Sequence, residues 1–295
     1  QRIEMSLLRL QKVSLFVKRD DLIHKEISGN KYRKLKYNLL QARQEKHTTL
    51  VTFGGAFSNH IAATAVAGKE SGFNTIGIIR GEEASAGNST LRTAKENGMV
   101  LKFISRQKYA EKSSSSFLQS IEEEFGRFFH IPEGGSNSMA VKGCMEILGE
   151  DDLDFDFACA PCGTGTTLGG LVASLKSGQK ALGFPALKGG GFIEKEVEDL
   201  LGRVVSPEEM QLFTNYHFGG YAKLKPELLQ FANWFYGETG IPTDLVYTSK
   251  LFYGIFDLLK KGYFPQESTI LAVHTGGLQG NQGMLERYSA ELDFC

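Results

Sequence analysis

Short apolar runs alternate with longer amphipathic stretches along most of the chain. The runs end at glycines or small polar residues, as strands do, and the stretches repeat their apolar positions at helical spacing. Strands are predicted within 13–23 and at 48–53, 75–79, 99–104, 128–132, 155–160, 181–185 and 269–274. Helices are predicted at about 31–45, 61–70, 89–96, 117–125, 138–148, 171–175, 194–200 and 227–236, with one more ending at 261.

This alternation predicts an α/β fold. Parallel strands joined by right-handed crossover helices give open, twisted, mainly parallel sheets, with helices on both faces in three α/β/α layers. A continuous block of about four strands lies between an N-terminal segment and a longer C-terminal half. We therefore expect a small α/β domain at 44–132 and a larger domain formed by 1–43 and 133–295. Ligands of such folds bind at the carboxyl ends of the strands.

Composition narrows the choice of partners. The chain has 295 residues, of which 41% are hydrophobic, and a net charge of −1. This balance gives no reason to expect nucleic acid or an anionic membrane as a partner. No apolar run approaches the roughly 18 residues that a membrane helix needs. Four cysteines in a chain of this length do not make a disulfide scaffold, which favours a reducing cytoplasm.

Two of these cysteines, Cys159 and Cys162, form a C-x-x-C pattern. A zinc site needs further ligands, and the other cysteines form no second pair. A redox role would need the motif to open a helix, whereas Cys159 lies inside an apolar run. We expect packing cysteines and no metal.

The stretch S-G-N-K-Y-R-K-L at 28–35 places Lys31 and Lys34 at the start of a predicted helix. Lys31 shares a helix face with the apolar residues Leu35 and Leu39. Partial desolvation and the neighbouring cation would both favour the neutral amine of Lys31. A neutral amine is what Schiff-base chemistry requires, for example with a carbonyl or with pyridoxal phosphate. A solvated helix start whose lysines snorkel is the alternative.

The stretch C-G-T-G-T-T-L-G-G at 162–170 follows a predicted buried strand and precedes a helix. Backbone N–H groups at such a helix start, with hydroxyls beside them, bind phosphate. The stretch lacks the Lys-Ser/Thr ending of a nucleotide P-loop and the G-x-G-x-x-G spacing of a dinucleotide fold. A small phosphate monoester fits it better. Glycines that serve close helix packing are the alternative.

A second strand-to-helix turn, G-G-A-F-S-N-H at 54–60, carries Ser58, Asn59 and His60. Its hydroxyl, amide and imidazole could bind a carboxylate or a phenolate, although an ordinary helix cap would look the same. The G-x-S-x-G spacing of a serine nucleophile is absent. Tyr221 and Tyr247 both lie beside loops, where tyrosine acts as acid, base or orienting group or simply packs.

These motifs, together with D-L-V-Y-T-S-K at 244–250 and H-T-G-G at 274–277, occur in one order and cover essentially the whole chain. In combination they resemble the pyridoxal-phosphate family of 1-aminocyclopropane-1-carboxylate deaminases and D-cysteine desulfhydrases. The resemblance implies the tryptophan-synthase β-like fold, which is fold type II of pyridoxal-phosphate enzymes. It also implies that the larger domain binds the cofactor, and it suggests a homodimer.

The resemblance implies roles for individual residues. Lys31 would form the Schiff base with the cofactor, and Asn59 would bind the phenolic oxygen of its ring. The substrate carboxylate would lie among Ser58, Asn59 and His60. The 5′-phosphate would be bound with possible help from Lys34 by a set of turn residues, namely Gly163, Thr164, Gly165, Thr166 and Thr167. Tyr221 and Tyr247 would match the two active-site tyrosines of the deaminases.

The chain departs from the deaminases at one position. They carry a glutamate directly after the second tyrosine, facing the pyridine nitrogen, where this chain has Thr248. Hydroxyls of Thr248 and Thr275 around that nitrogen resemble the desulfhydrase branch. A carboxylate would keep the ring protonated and strongly electron-withdrawing. β-Elimination of a good leaving group such as sulfide needs less of that help than the opening of a cyclopropane.

The leading interpretation is therefore a lyase that converts D-cysteine into pyruvate, sulfide and ammonia. Lys31, or Ser58 nearby, would remove the α-proton, and Tyr247 would assist as acid or orienting group. A 1-aminocyclopropane-1-carboxylate deaminase is the first alternative. A hydroxy-amino-acid dehydratase or a β-replacement synthase of the same fold is more distant. A phosphate-ligand binding protein without catalysis is the alternative from a different class.

Overall fold

Two β-sheets form the framework of the computed structural model, which describes residues 1–81, 88–149 and 153–294. The strands are Arg2–Ile3 (β1), Ser14–Lys18 (β2), Thr49–Gly55 (β3), Asn74–Arg80 (β4), Val100–Ile104 (β5), Phe129–Ile131 (β6), Phe157–Cys162 (β7), Lys180–Pro185 (β8), Met210–Leu212 (β9) and Thr269–Val273 (β10). The helices are Ser6–Gln11 (α1), Asn30–Gln44 (α2), Asn59–Ser71 (α3), Ser89–Glu96 (α4), Arg106–Ala110 (α5), Ser115–Phe125 (α6), Ser138–Met145 (α7), Thr166–Ala173 (α8), Ile193–Leu201 (α9), Pro226–Thr239 (α10), Thr248–Lys260 (α11) and Asn281–Tyr288 (α12).

The larger sheet has the strand order β1-β2-β10-β7-β8-β9. Its pairs are parallel except for β1 with β2, which are antiparallel. The smaller sheet has the order β5-β4-β3-β6, and all its pairs are parallel. The predicted α/β fold with two mainly parallel sheets is thus confirmed.

Helices cover both faces of the larger sheet because successive strand residues point to opposite sides. Cys159, on one face of β7, packs in a core with Phe235 and Phe252 of α10 and α11. Its neighbours Ala158 and Ala160 pack on the other face with residues of α7, α8 and α9. Parallel strands that are buried on both faces read as continuous apolar runs, which is how β7 appears in the sequence.

The smaller sheet is also covered on both faces. Leu50 of β3 packs against α2 and α3, whereas Val51 and Phe53 pack with Tyr109 and α6. All four strands of this sheet fall within 49–131. The domain boundaries at 43/44 and 132/133 stay a prediction. In the described residues, no helix is long and apolar enough to cross a membrane.

Several short elements escaped the sequence pattern. The strands β1 and β9 have two and three residues, too few for a period-two alternation to be read. The helices α1, α5 and α12 were not predicted either, and α12 follows a glycine-rich stretch that resembles a loop. None of these elements changes the strand order around the centre of the molecule.

The predicted start of α8 at residue 171 was wrong, because the helix begins at Thr166. Gly169 and Gly170 resembled turn residues but lie inside the helix. A Cβ atom on Gly170 would lie 2.3 Å from the Cβ of Cys144 on α7. This glycine therefore serves close packing of α7 on α8, the alternative that the sequence left open for part of the stretch.

Candidate active site

A cleft of about 1190 Å³ lies where strands of both sheets end. The turns after β3, β7 and β10 all contribute to its wall, as expected for the carboxyl ends of parallel strands. Most of the predicted site residues line it, namely Lys31, Lys34, Ser58, Asn59, His60, Gly163, Thr164, Thr167, Tyr221, Tyr247 and Thr275. Three predicted residues, Gly165, Thr166 and Thr248, are not part of this lining.

The start of α2 is held against the end of β10. The N–H of Asn30 donates to the carbonyl oxygen of Thr275 at 3.2 Å. Gly29 has a φ of 70°, and a Cβ atom there would lie 1.9 Å from the same carbonyl oxygen. Only glycine combines this backbone conformation with so close an approach. The S-G-N sequence therefore delivers Lys31 into the cleft.

A buried ion pair fixes the same helix from its other side. The guanidinium of Arg33 donates to both carboxylate oxygens of Asp20, at 2.5 and 2.8 Å. Its third contact is the carbonyl oxygen of Glu146, at 2.9 Å. A bidentate pair of this kind restricts rotation as well as distance, which keeps the first turn of α2 in place.

Lys31 has the lowered pKa that its pattern predicted. Burial lowers it most, the charge of Lys34 lowers it further, and the result is a pKa of about 7. Among the described residues no side chain or carbonyl accepts a hydrogen bond from its amine. A substantial fraction of this amine, which faces the cleft, is therefore neutral near neutral pH.

Lys34 lies one turn further along α2 and is 2% exposed. Its Nζ donates to the carbonyl oxygen of Gly134 at 3.4 Å and to Oγ1 of Thr164 at 3.3 Å. No carboxylate in the described residues forms an ion pair with it. Burial lowers its pKa. A buried cation without an anionic partner, next to a glycine-threonine turn, is suited to receive a phosphate.

The turn between β7 and α8, residues 162–166, forms one wall of the cleft. A Cβ atom on Gly163 would lie 2.8 Å from the hydroxyl oxygen of Tyr247, so a larger residue here would displace that side chain. Oγ1 of Thr167 accepts a hydrogen bond from the amide of Asn30 at 2.9 Å. Oγ1 of Thr166 donates to Oγ of Ser136 at 2.7 Å and lies 3.2 Å from Oγ1 of Thr164, so it meets the cleft only through these two lining residues.

One acidic residue also faces this turn. The N–H of Gly165 donates to the carboxylate of Glu196 on α9 at 3.1 Å, and Glu196 lines the cleft. A phosphate that uses this N–H would have to displace the carboxylate. Gly165 and Thr166 therefore differ from Gly163, Thr164 and Thr167, whose groups reach the cleft directly.

The turn between β3 and α3, residues 54–59, forms the opposite wall. Ser58 precedes the helix, but its side chain makes no capping hydrogen bond. The Oδ1 atom of Asn59 and the Nδ1 atom of His60 are buried and have no partner among the described residues. An ordinary helix cap would leave no such atoms unpaired, so the structure favours a ligand at this turn.

The hydrogen bonds of His60 define its tautomer. Thr52 donates its single hydroxyl proton to the carbonyl oxygen of Ile131 at 2.9 Å, so its oxygen accepts from Nε2–H of His60 at 2.8 Å. Burial and the charges of Lys31 and Lys34 hold the pKa of His60 well below its usual value. His60 is thus neutral, and its Nδ1 is an acceptor rather than a donor to a carboxylate.

The two predicted tyrosines lie together on the cleft. Their ring centroids are 6.1 Å apart in an edge-to-face arrangement. Desolvation of the hydroxyl raises the pKa of Tyr221, a residue that is 41% exposed overall, and burial raises the pKa of Tyr247 well above its usual value. Both hydroxyls therefore keep their protons at neutral pH, which suits hydrogen-bond donation and proton delivery rather than action as a base.

Thr248 is not brought to the cleft. Its side chain is fully buried at the start of α11, where its hydroxyl donates to the carboxylate of Asp244 at 3.0 Å. The same carboxylate accepts the N–H groups of Val246, Tyr247 and Thr248 at 2.7–3.0 Å. The first turn of α11 is thereby organised by Asp244, and a contact of Thr248 with the cofactor ring stays a prediction.

Several residues of the site were not predicted. Asn30, Ser136 and Glu196 line the cleft, and Asp244 orders its neighbourhood. Asp244 could have been found, because an aspartate shortly before a helix often accepts the first free N–H groups. Ser136 and Glu196 carry no local pattern and are placed by packing alone.

The C-x-x-C pair packs in the core as predicted. Cys159 and Cys162 are buried and free, and burial raises the pKa of Cys162 to about 12. No group of three or more His, Cys, Asp or Glu side chains among the described residues could hold a metal ion.

The groups of the cleft fit pyridoxal phosphate. A buried lysine with glycines and hydroxyls suits its phosphate, and a neutral amine suits its aldehyde. The unpaired acceptors, Oδ1 of Asn59 and Nδ1 of His60, suit hydrogen-bond donors of its ring or of a substrate. Two acidic residues that line the cleft, Glu196 and Glu133, oppose a phosphate charge.

Comparison with known proteins also indicates an enzyme that uses pyridoxal phosphate. Residues 4–276 match the family described as pyridoxal-phosphate dependent enzyme. A Pyrococcus furiosus protein provisionally named 1-aminocyclopropane-1-carboxylate deaminase is 32% identical, over 92% of this chain and 87% of its own. The mitochondrial bifunctional D-cysteine desulfhydrase/1-aminocyclopropane-1-carboxylate deaminase of Arabidopsis thaliana is 31% identical, over 90% of this chain and 73% of its own.

A solved structure agrees with these relatives. The crystal structure of an ACC deaminase homologue superposes with a TM-score of 0.81 and 28% identity, over 97% of this chain and 92% of that one. This chain therefore belongs to the family of pyridoxal-phosphate dependent enzymes.

Proposed function

We propose that this protein is a pyridoxal-phosphate dependent lyase that acts on a small amino acid, with D-cysteine as the favoured substrate. The observation that carries the proposal is the amine of Lys31, which faces the cleft with a pKa of about 7. Such an amine reacts with an aldehyde and exchanges a proton near neutral pH. Membership of an enzyme family disfavours the non-catalytic binding protein.

Different residues would hold the parts of the cofactor. Lys34, Thr164 and Thr167 would bind its phosphate, together with the backbone at Gly163, and Asn59 would bind the ring oxygen. When bound, pyridoxal phosphate supplies an aldehyde for amines and a ring that withdraws electrons from the substrate α-carbon.

The protein's own groups would manage the protons. The neutral amine of Lys31 accepts the proton that leaves the α-carbon of the amino acid. The bond between the β-carbon and sulfur then breaks, and sulfur takes the electron pair. Tyr247, whose raised pKa keeps it protonated, donates a proton to the departing sulfide or orients it. Ser58 and Asn59 orient the substrate carboxylate at the opposite wall.

The choice of substrate rests on the acidic groups around the cleft. The chain has Thr248 where the deaminases carry a glutamate after the second tyrosine, and the glutamates that line the cleft, Glu133 and Glu196, lie in other segments of the chain. Asp244 is nearby, but its carboxylate is occupied by backbone N–H groups. Weaker electron withdrawal supports elimination of sulfide over ring opening. Ring-opening deamination to 2-oxobutanoate and ammonia remains the second candidate, because the names of several relatives favour it.

The test compares the two substrates side by side with purified protein loaded with pyridoxal phosphate. Pyruvate and sulfide from D-cysteine, without 2-oxobutanoate from 1-aminocyclopropane-1-carboxylate, is the expected result. Release of 2-oxobutanoate would contradict the substrate assignment. Absence of any oxo acid from both compounds, with the cofactor bound, would contradict lyase activity on this pair.

The remaining proposals concern the whole protein. A homodimer is proposed from the resemblance, and sedimentation at several concentrations would test it. A cytoplasmic location is proposed from the scarcity of cysteine, and the described cysteines are all free.

A further inference from the structure

A second lysine that is almost fully buried, Lys250, has no part in the reaction described above. It lies in the first turn of α11, is 1% exposed, and belongs to the largest fully buried side chains of the protein. In the described residues no carboxylate pairs with it. Burying an ammonium group without a counter-ion is costly, so a lysine at such a place needs a reason.

The ammonium group of Lys250 is bound by two backbone carbonyls. Nζ donates to the carbonyl oxygen of Gly220 at 2.8 Å and to that of Ala186 at 3.3 Å. Ala186 directly follows β8, and its N–H donates to the carbonyl oxygen of Cys162 at the end of β7. Lys250 therefore joins α11 and the strand ends at the cleft to the segment around Gly220.

That segment carries Tyr221 in a strained backbone. Phe218, Gly219, Gly220 and Ala222 have φ values of 52°, 97°, 120° and 50°. Phe218 and Ala222 have side chains, for which this left-handed region is unfavourable. A strained segment keeps its conformation when surrounding contacts determine it, and the hydrogen bond from Lys250 acts at its centre.

Other contacts hold the ends of the segment. The ring of Phe218 packs edge-to-face on Tyr253, with centroids 4.8 Å apart, and the carbonyl oxygen of Ala222 accepts a hydrogen bond from Tyr288 at 3.1 Å. At the centre, Gly220 also accepts from the N–H of Lys223, within the segment itself, at 3.3 Å. The hydrogen bond from Lys250 thus joins the backbone at the centre of the segment to α11.

The same helix turn supplies the second tyrosine. Tyr247 immediately precedes α11, three residues before Lys250, and its ring contacts that of Tyr221. One helix start therefore places Tyr247 directly and Tyr221 through a buried ammonium group. We propose that Lys250 is a positioning residue, which fixes the segment 218–222 so that the hydroxyl of Tyr221 stays beside Tyr247 in the cleft.

The charge state of Lys250 agrees with this role. Burial lowers its pKa to about 8, and the nearby carboxylate of Asp244 opposes the decrease. The ammonium form, which donates to carbonyls without accepting, therefore prevails at neutral pH. The expected effect of Lys250 on catalysis rests on the proposed function, whereas its expected effect on the conformation of 218–222 does not.

The first experiment measures hydrogen exchange on the protein without substrate. Lys250→Met keeps the volume and the apolar stem but removes the donor. Protection of the amides of 217–224 should fall by about tenfold or more, as expected for the loss of a buried hydrogen bond from a charged group. The control is Phe252→Leu on the same helix, whose ring stacks on Phe235 at 4.5 Å. It should lower global stability without a selective change at 217–224.

The second experiment is a double-mutant cycle with Tyr221→Phe, read as kcat/KM for the best substrate. Lys250→Met should lower kcat/KM by roughly 10- to 100-fold in the wild-type background and by less than about 2-fold beside Tyr221→Phe. A purely structural lysine would give equal losses in both backgrounds, and that result would overturn the proposal.

Two outcomes keep failure of this inference separate from failure of the proposed function. If the protein releases no oxo acid, hydrogen exchange still decides the positioning role, and unchanged protection at 217–224 overturns it. If Lys250→Met does not fold, Lys250→Gln replaces it in both experiments. Its amide donates to a carbonyl over a shorter reach, so intermediate exchange and intermediate kcat/KM are expected, and wild-type behaviour in both would overturn the proposal.

Discussion

The turn between β7 and α8 and the turn between β3 and α3 enter the same cleft from different sheets. Both follow a buried strand and lead into a helix start. The first has Lys34 against its threonine hydroxyls. The second has a neutral His60 and the unpaired Oδ1 of Asn59. Similar backbone geometry therefore provides an anion site on one wall and a site of neutral hydrogen-bonding groups on the other.

The difference comes from α2, which contributes lysines to the cleft between these turns. Lys34 has hydrogen bonds to the first turn and to the carbonyl oxygen of Gly134, whereas burial, together with the charges of Lys31 and Lys34, lowers the pKa of His60 and keeps it neutral. One helix thus makes the two walls chemically unlike. Local motifs define where a ligand can bind, and the neighbouring helix defines which ligand groups are preferred.

The largest effect is expected where the two walls meet, at Lys31. Lys31→Ala removes the reactive amine and should lower turnover by on the order of 10⁴-fold or more, with loss of the cofactor absorbance band that depends on this lysine. Oxo-acid release and the absorbance spectrum are the measurements. Lys36→Ala is the matched control on the same helix, because Lys36 pairs with Glu146 at the surface at 2.7 Å. Turnover retained in Lys31→Ala would refute the assignment.

The next largest effect is expected on cofactor binding at the wall formed by the turn between β7 and α8, where Lys34 lies. Lys34→Met should weaken binding of pyridoxal phosphate by roughly 10- to 100-fold, the usual range for a lost charge-assisted hydrogen bond, but should affect pyridoxal without phosphate much less. Titrations of both compounds followed by absorbance give the ratio of their Kd values. An equal loss for the two compounds would show that Lys34 does not contact the phosphate.

The opposite wall should give the reverse result. Asn59→Ala should weaken pyridoxal and pyridoxal phosphate alike, by about 5- to 10-fold, because it removes a neutral hydrogen-bonding group and leaves the phosphate contacts in place. The same titrations measure it. A selective loss of the phosphate compound would mean that the two walls are not chemically separate.

Replacing Glu196 should have a smaller effect on the affinity for pyridoxal phosphate, and the affinity should increase. The carboxylate of Glu196 occupies the N–H of Gly165, so Glu196→Gln removes a charge that opposes the phosphate. Pyridoxal phosphate should bind about 3- to 10-fold more tightly, with pyridoxal unchanged, since the interaction is that of like charges in a partly buried site. Weaker binding of the phosphate compound would indicate that Glu196 supports the turn rather than competing with the ligand.

The smallest effect is a shift in pH dependence. The pKa of Lys31 is lowered to about 7, so its neutral form increases as the pH rises through that value. The rate of Schiff-base formation between apoprotein and pyridoxal should rise with the same midpoint. Lys34→Met removes the like charge of Lys34, and the loss of this repulsion favours the protonated form of Lys31. The midpoint should therefore move upward by roughly half a unit to one unit. A downward shift would contradict the coupling of the two lysines.

Several features of the site followed from local sequence. Lys31 was predicted to have a lowered pKa from its position on an apolar helix face beside Lys34, and the structure agrees. The two glycine-containing turns were predicted at strand ends because apolar runs followed by small residues are local patterns. The two-sheet α/β fold followed from the alternation of such runs with helical stretches.

Other features were decided by contacts between residues far apart in the chain. Thr248 has no cleft contact because Asp244 engages its hydroxyl, and His60 is an acceptor because Thr52 already donates to Ile131. Glu196 reaches Gly165 from another helix, and it has no pattern of its own. Sequence periodicity records which face of an element is buried, but the partner of each polar group depends on how elements pack. The chain by itself therefore determined where the chemistry lies, and tertiary packing determined which atoms are free to perform it.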